Sequence, residues 1–281
     1  MKKINITKMQ GCGNDFVIVS YDDYLKSEMS MGEFAEKICN RNFGIGADGL
    51  IIPNLKPENA DIGWYFYNSD GSSAQMCGNG MRCFAKYAFD NKLVDKKEFS
   101  VQTLAGIKTP CIQNHGTVKV NMGKPVLNPK KVPCTFNNIN QEIEAAGKIY
   151  NANAVSMGNP HCVIFTEDKN ILDMAKNVGP YIEKSKYFPE KTNVEFVKIK
   201  SRNEIDMCVW ERGCGITLAC GTGACASVVA SILNNLTENK VKVNLLGGTL
   251  TIEWQGSQAN SDEDVFLIGP ADYTFFAEYL L

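Results

Sequence analysis

The sequence predicts an α/β (α+β) protein of two pseudo-symmetric halves, each with short strands wrapped around one buried helix. Three observations carry this. Two stretches, Met76-Cys77-Gly78-Asn79-Gly80 and Ala219-Cys220-Gly221-Thr222-Gly223, each set a cysteine ahead of small residues and a helix-patterned run. A series of landmarks recurs in the same order and nearly the same spacing. Gly13-Asn14 returns as Gly158-Asn159, a shift of 145; Tyr67-Asn68 and Cys77-Gly78-x-Gly80 return as Trp210-Glu211 and Cys220-Gly221-x-Gly223, both shifted by 143; Val101 with Gly106 returns as Val243 with Gly248, a shift of 142. Lastly, the runs between landmarks are short, β-branched or aromatic, and bounded by glycine and asparagine turns. The halves expected are residues 1–121, joined by the tail 269–281, and 122–268, with the seam at Asn121-Met122-Gly123-Lys124-Pro125.

In chain order, Lys8 to Val19 is a glycine-rich turn beside a short β-branched strand. Ser30-Met31-Gly32-Glu33 has capping-box spacing, and Phe34, Ala35 and Ile38 continue it as an amphipathic helix. Trp64-Tyr65-Phe66-Tyr67 reads as a buried strand ended by Asn68-Ser69-Asp70-Gly71. After Cys77, the residues Met81, Phe84, Ala85, Ala88 and Phe89 form a helical stripe. Val101–Thr103 is a strand before the Ala105-Gly106 turn, and Cys162–Phe165 is the strand after Gly158-Asn159. The run from Ala224 to Leu233 is apolar or small nearly all round, the mark of a helix buried on every side.

Composition excludes several classes. The 281 residues are 44% hydrophobic with a net charge of −2, enough for a sizeable core and without the basic footprint of a nucleic-acid or membrane-surface binder. Met1-Lys2-Lys3-Ile4-Asn5-Ile6 opens no long apolar run, so neither a signal peptide nor a membrane span is expected. Eleven cysteines, an odd number in a long chain, point to reduced thiols in the cytoplasm. No Cys-x-x-Cys pair occurs and the histidines are His115 and His161 alone, which argues against a metal centre and a thioredoxin-type redox site.

A cysteine heading a helix lies where unpaired N–H groups and the positive dipole end favour an anion, and such positions bring a thiol from about 8.5 to roughly 3.5–7.5. Two such thiols on either side of one carbon can act as base and acid: one removes a proton, the carbon flattens, the other returns a proton to the far face. That inverts a stereocentre without a cofactor. Amides of Gly78-Asn79 and Gly221-Thr222 at the helix ends suit an α-carboxylate and the charge that develops beside it.

The motifs together resemble a known family. Gly11-x-Gly13-Asn14-Asp15-Phe16, Gly44-Ile45-Gly46-Ala47-Asp48-Gly49, Asn68-x-Asp70-Gly71-Ser72, Cys77-Gly78-Asn79-Gly80-Met81-Arg82-Cys83, Gly158-Asn159-Pro160-His161 and the run Glu211-Arg212-Gly213 to Gly221-Thr222-Gly223-Ala224 are similar to those of the diaminopimelate epimerases, in family order. The resemblance implies an epimerase fold in which a mostly antiparallel, barrel-like sheet wraps each central helix. It implies a cofactor-independent isomerase interconverting LL- and meso-diaminopimelate in lysine and peptidoglycan precursor biosynthesis, as a homodimer. Carried over by motif, Cys77 and Cys220 are the base and acid, with His161 and Glu211 supporting them. Asn14, Asn68, Asn159 and Asn193 bind substrate through amides, and Glu211 and Arg212 through charge, Arg212 gripping the distal carboxylate. Two positions depart: Gly49, where some members carry glutamine, and Ile216, where glutamate is frequent.

Blander readings apply elsewhere. Cys12, Cys39, Cys83, Cys111, Cys134, Cys162, Cys208, Cys214 and Cys225 are taken as packed or incidental thiols, His115 as exposed and idle, and Arg82 as a surface or inter-strand charge outside the site. The competing functions are a proline or hydroxyproline racemase of the same fold, a thiol redox sensor using Cys77 and Cys220, and a non-catalytic amino-acid binding module.

Overall fold

The computed structural model of the chain describes residues 2–137, 139–257 and 259–281; Met1, the first residue of the N-terminal stretch read above, lies outside them with Asn138 and Gln258. The chain divides into two compact units, residues 1–120 with 268–281, and residues 121–267. It passes between them in the strands Val118–Gly123 and Val265–Gly269.

In the first unit the elements run β1 (Lys3–Gly11), β2 (Asn14–Ile18), α1 (Tyr21–Leu25), α2 (Met31–Cys39), β3 (Gly49–Asn54), β4 (Ile62–Asn68), α3 (Gly78–Asp90), β5 (Val101–Thr103), β6 (Gly106–Lys108) and β7 (Cys111–Ile112). The expected capping box is present: Ser30 accepts from the Glu33 amide and Glu33 reaches back to the Ser30 amide. The second unit follows β8 (Val118–Gly123) with β9 (Gln141–Ala145), β10 (Lys148–Ser156), β11 (Pro160–Phe165), α4 (Ile171–Glu183), β12 (Asn193–Ser201), β13 (Glu204–Glu211), β14 (Gly215–Ile216), α5 (Gly221–Leu233), β15 (Lys240–Leu245) and β16 (Gly248–Trp254). β17 (Val265–Gly269) and β18 (Asp272–Leu280) end the chain, β18 pairing with β1 in the first unit.

The internal echo is topological as well as sequential. The first unit's sheet has the order β18-β1-β2-β3-β4-β5-β6, and the longer second sheet repeats that series as β9-β10-β11-β12-β13-β15-β16 before continuing through β17 and β8 to β7. Both are antiparallel except at two joints, β2/β3 and β4/β5 in one, β11/β12 and β13/β15 in the other. Parallel joints need crossover connections, and helices supply them: α1 and α2, then α3; α4, then α5. The barrel-like closure implied by the family resemblance is not seen. Among the described residues each sheet is an open ribbon whose end strands pair with nothing that would close it. The parallel joints spend strand length on helical crossovers, so the helices, not a closing strand, cover the sheet faces.

Strand alternation assigns those faces. Val17, Leu50 and Ile52 pack with Phe34, Ala35 and Ile38 of α2, and in the second unit Cys162, Ile164, Val194 and Phe196 pack with Ala175, Val178 and Ile182 of α4. The residues between them point the other way, toward α3 and α5. α3 lies against β1, β2 and β3, and α5 against the equivalent β10, β11 and β12. α5 is buried without a break from Gly223 to Leu233, as its all-round apolar sequence predicts. Each of its larger side chains (Val228, Val229, Ile232 and Leu233) contributes roughly 1.5–3 kcal/mol by burial. Among the described residues no helix is long and apolar enough to cross a membrane.

Candidate active site

Cys77 and Cys220 hold the same local geometry. Each is the N-cap of its helix in an extended conformation (φ −142° and −123°), and each Sγ accepts the amide three residues on, Gly80 and Gly223, both at 3.4 Å. A thiol thus fills the capping place that serine or aspartate usually takes. Around this shared frame the two half-sites differ.

In the first, Cys77 is half-buried and its Sγ donates to Asn14 Oδ1 at 3.6 Å. Asn79 Nδ2 donates to the same oxygen at 3.1 Å, so Asn14 and Asn79 converge on the thiol. Asn14 is fixed behind by Asp48, which accepts from its Nδ2 at 2.6 Å and from the Asp15 amide at 3.1 Å. Arg41 bridges Asp15 and Asp48 at 2.8 Å each, and Lys8, buried, reaches Asp15 at 2.7 Å. Burial would lift the Asp15 carboxyl, but its bonds to Arg41 and Lys8 outweigh that and hold it down at about 2. Asn68 ends β4, and its Nδ2 donates to Ser72 Oγ at 2.9 Å, which pins the Asn68–Ser72 turn. Gly49 leaves no room for the glutamine other members carry: a Cβ there would stand 2.8 Å from both Tyr67 O and the Phe66 ring.

Arg82 corrects the reading above. It is fully buried, not a surface charge, and donates to Asn79 Oδ1 at 2.9 Å, Gly78 O at 3.4 Å and Pro270 O at 3.0 Å. It thereby ties the first turn of α3 to the approach to β18. No sequence pattern marks it, since one partner is 188 residues away.

In the second half-site Cys220 is buried, with Thr222 Oγ1 at 3.5 Å. The lowered thiol expected at a helix N-terminus is not found. Burial pushes the Cys220 thiol well above its usual value, and the charges of Glu211 and Glu195 push the same way. A helix end offers at most about 2 kcal/mol to an anion, less than desolvation and two nearby carboxylates withdraw. Glu211 closes β13 with its Oε1 held by the Thr217 hydroxyl; burial raises its carboxyl, and Glu195 adds to that. His161 is fully buried between Glu195 Oε1, 2.7 Å from Nδ1, and Asn159 Oδ1, 3.1 Å from Nε2. Asn193 is locked by backbone, donating to Pro160 O at 3.0 Å and accepting from the Arg212 amide at 2.9 Å. Arg212 is exposed, with Nη1 on Glu190 O at 3.2 Å. Ile216, the other departure, packs with Trp210 against the α4-side core.

Glu195 was not singled out in the sequence, yet it sits at the centre of this half-site. A glutamate inside the apolar run Val194–Val197, two residues on from Asn193 and so on the same strand face, is the signal that could have found it. Donor atoms of His161, Glu195 and Cys220 lie within 4.8 Å of one another, the spread of a metal ligand set. Both ring nitrogens of His161 are already engaged, by Glu195 and Asn159. The remaining cysteines keep their bland reading as packed or incidental thiols, Cys39, Cys83 and Cys162 deep in the core and Cys214 exposed. His115 is exposed, in a left-handed backbone turn (φ 73°). A hollow of about 430 Å³ in the second unit, bordered by Arg202, Asn235 and Glu238, contains none of these groups.

Several solved structures share this fold. A phenazine biosynthesis protein of the PhzF family from Bacillus anthracis superposes with a TM-score of 0.71 over 100% of both chains at 16% identity. A hydroxyproline epimerase from Agrobacterium vitis gives 0.67 over 99% of this chain and 93% of its own, at 12% identity. These show the architecture alone. Sequence goes further: the diaminopimelate epimerase from Desulfitobacterium hafniense is 47% identical over 280 residues, 97% of this chain and 96% of its own. The family model for diaminopimelate epimerase matches residues 6–128 and 153–274, spanning both half-sites, and the chain belongs to the diaminopimelate epimerase family.

Proposed function

We propose that the protein interconverts LL- and meso-diaminopimelate without a cofactor, through proton transfer by Cys77 and Cys220 at opposite faces of the α-carbon. The observation that carries this is the pair of thiols at the same helix-cap position in two units of matching topology, within a chain of this family. In one direction the thiolate takes the α-hydrogen as a proton, the electron pair stays on the flattened carbon, and the opposite thiol delivers its own proton to the other face. The thiol and thiolate then stand exchanged, ready for the reverse reaction. Amides of Gly78, Asn79, Gly221 and Thr222 hold the α-carboxylate and the developing charge, since the first N–H groups of a helix have no intrahelical partner. Asn14, Asn68, Asn159 and Asn193 line the substrate, Glu211 reads its ammonium groups, Arg212 grips the distal carboxylate, and His161 assists the Cys220 side. Nothing among the described residues favours the racemase, redox-sensor or binding-module readings over this one. A cytoplasmic homodimer, the expected assembly, is checked by light scattering of the reduced protein.

The test is the reduced protein incubated with LL-diaminopimelate in heavy water, with stereochemistry and α-carbon deuterium followed together. Meso product carrying solvent deuterium is expected. Absence of exchange, with both thiols confirmed reduced, overturns the proposal.

A further inference from the structure

The duplicated topology supplies an internal control for the second half-site. In the parallel joint β11/β12, His161 pairs with Asn193, and Glu195 lies two residues on; in the equivalent joint β2/β3, Phe16 pairs with Gly49, and Ile51 lies two residues on. Phe16 and Ile51 are buried and apolar, so the first unit fills with hydrocarbon the two positions where the second carries an imidazole and a carboxylate. Phe16 lies beneath the first turn of α3, 3.4 Å from where a Cβ on Gly80 would stand, and Glu195 lies correspondingly beneath α5.

Glu195 is fully buried. Its Oε1 meets His161 Nδ1 at 2.7 Å, and its Oε2 has no hydrogen-bond partner among the described residues. Burying a carboxylate with one dry oxygen is unfavourable unless something nearby compensates. The positive end of α5 supplies part of that, and Gly223 lets it approach, since a Cβ there would stand 2.7 Å from Glu195 Oε1 and 3.2 Å from Cys220 Sγ. The titratable groups facing the carboxylate are His161 on β11, Glu211 on β13 and Cys220 at the head of α5.

We propose that Glu195 is a positioning residue of the Cys220 half-site: it fixes His161 through Nδ1 and sets a negative charge beside Sγ, so that this thiol holds its proton. A carboxylate can only accept from the ring, so the 2.7 Å contact places a proton on Nδ1. Its charge, within 4.8 Å of Sγ, opposes a second negative charge in the same dry pocket. Glu211 adds to this from β13, while Phe16 and Ile51 bring no such charge beneath Cys77. The catalytic consequence rests on the epimerase reading; the proton placement does not.

Glu195→Gln keeps the acceptor for His161 and removes the charge. Thiol reactivity toward methyl methanethiosulfonate is followed against pH at each cysteine by peptide mass spectrometry. The Cys220 midpoint is expected to fall by about 1–2 pH units while that of Cys77 stays in place. The corresponding limb of the kcat profile should move with it, with KM little changed. An unmoved Cys220 midpoint in folded Glu195→Gln protein overturns the proposal. Should that variant not fold, wild-type protein labelled with ¹⁵N-histidine decides, because the chain has two histidines and His115→Gln assigns them. A proton on His161 Nδ1 is expected, and a bare Nδ1 overturns the proposal. Wild-type protein that shows no diaminopimelate turnover overturns the function instead and leaves both thiol and NMR readouts intact.

Discussion

Arg82→Leu should destabilise the N-terminal unit by about 3 kcal/mol, and the magnitude follows from what the guanidinium leaves behind. Arg82 is fully buried and donates to Pro270 O, Asn79 Oδ1 and Gly78 O. Gly78 O keeps a helical partner four residues on, so two oxygens lose a donor in a place water does not reach. Each buried acceptor left unmet costs about 1–3 kcal/mol, or roughly 2–6 together. Leucine recovers part of this, because a buried charge no longer has to be desolvated, which brings the net toward 3. Arg82→Lys should fall between, since an ammonium lacks the fork that reaches oxygens on both sides. Urea unfolding at neutral pH, followed by tryptophan fluorescence, reads this through Trp64 in the same unit. The variant should also lose turnover, because among the described residues the Asn79 side chain then keeps only its bond to Asn14. A loss of under 1 kcal/mol would refute the reasoning, since it would mean that the acceptors find other partners.

Cys77→Ala and Cys220→Ala should each abolish α-carbon inversion, and each should keep its fold, losing about 1 kcal/mol for the missing cap. Near-native turnover in either variant, measured by deuterium exchange, would sink the two-thiol mechanism. Asp15→Asn should lower stability at pH 7 by about 2 kcal/mol, because the folded carboxyl sits at about 2 against an ordinary value near 3.8. As its folded value is depressed, this stability is full above the unfolded value and fades as pH falls from about 4 toward 2. The gap between wild type and variant, followed by denaturant unfolding, should therefore close over that window; a gap that stays constant down to pH 3 would show that Arg41 and Lys8 act by packing instead.

What the sequence made legible and what it hid divide along a physical line. The half-sites' frames are local: a helix cap, a glycine turn and strand alternation each act over a few residues, and duplication printed each of them twice. Cys77 and Cys220 were readable for that reason, as were the all-round burial of α5 and the capping box of α2. Charge placement is not local. Arg82 meets Pro270 across most of the chain, Asn14 leans on Asp48, and Glu195 meets His161 only because β11 and β12 run parallel, joined by the crossover helix α4. A propensity or period sees one side of such a pair, so Arg82 reads as a surface or inter-strand charge and Glu195 carries no mark at all. The same blindness explains the thiol. The cap alone argues for a lowered Cys220, and only two carboxylates brought in from other strands, Glu195 on β12 and Glu211 on β13, reverse the sign. The duplicated frame thus supplies two thiols in the same cap, and the carboxylates that act on Cys220, Glu195 and Glu211, have the uncharged Ile51 and Asn68 as their counterparts in the first unit.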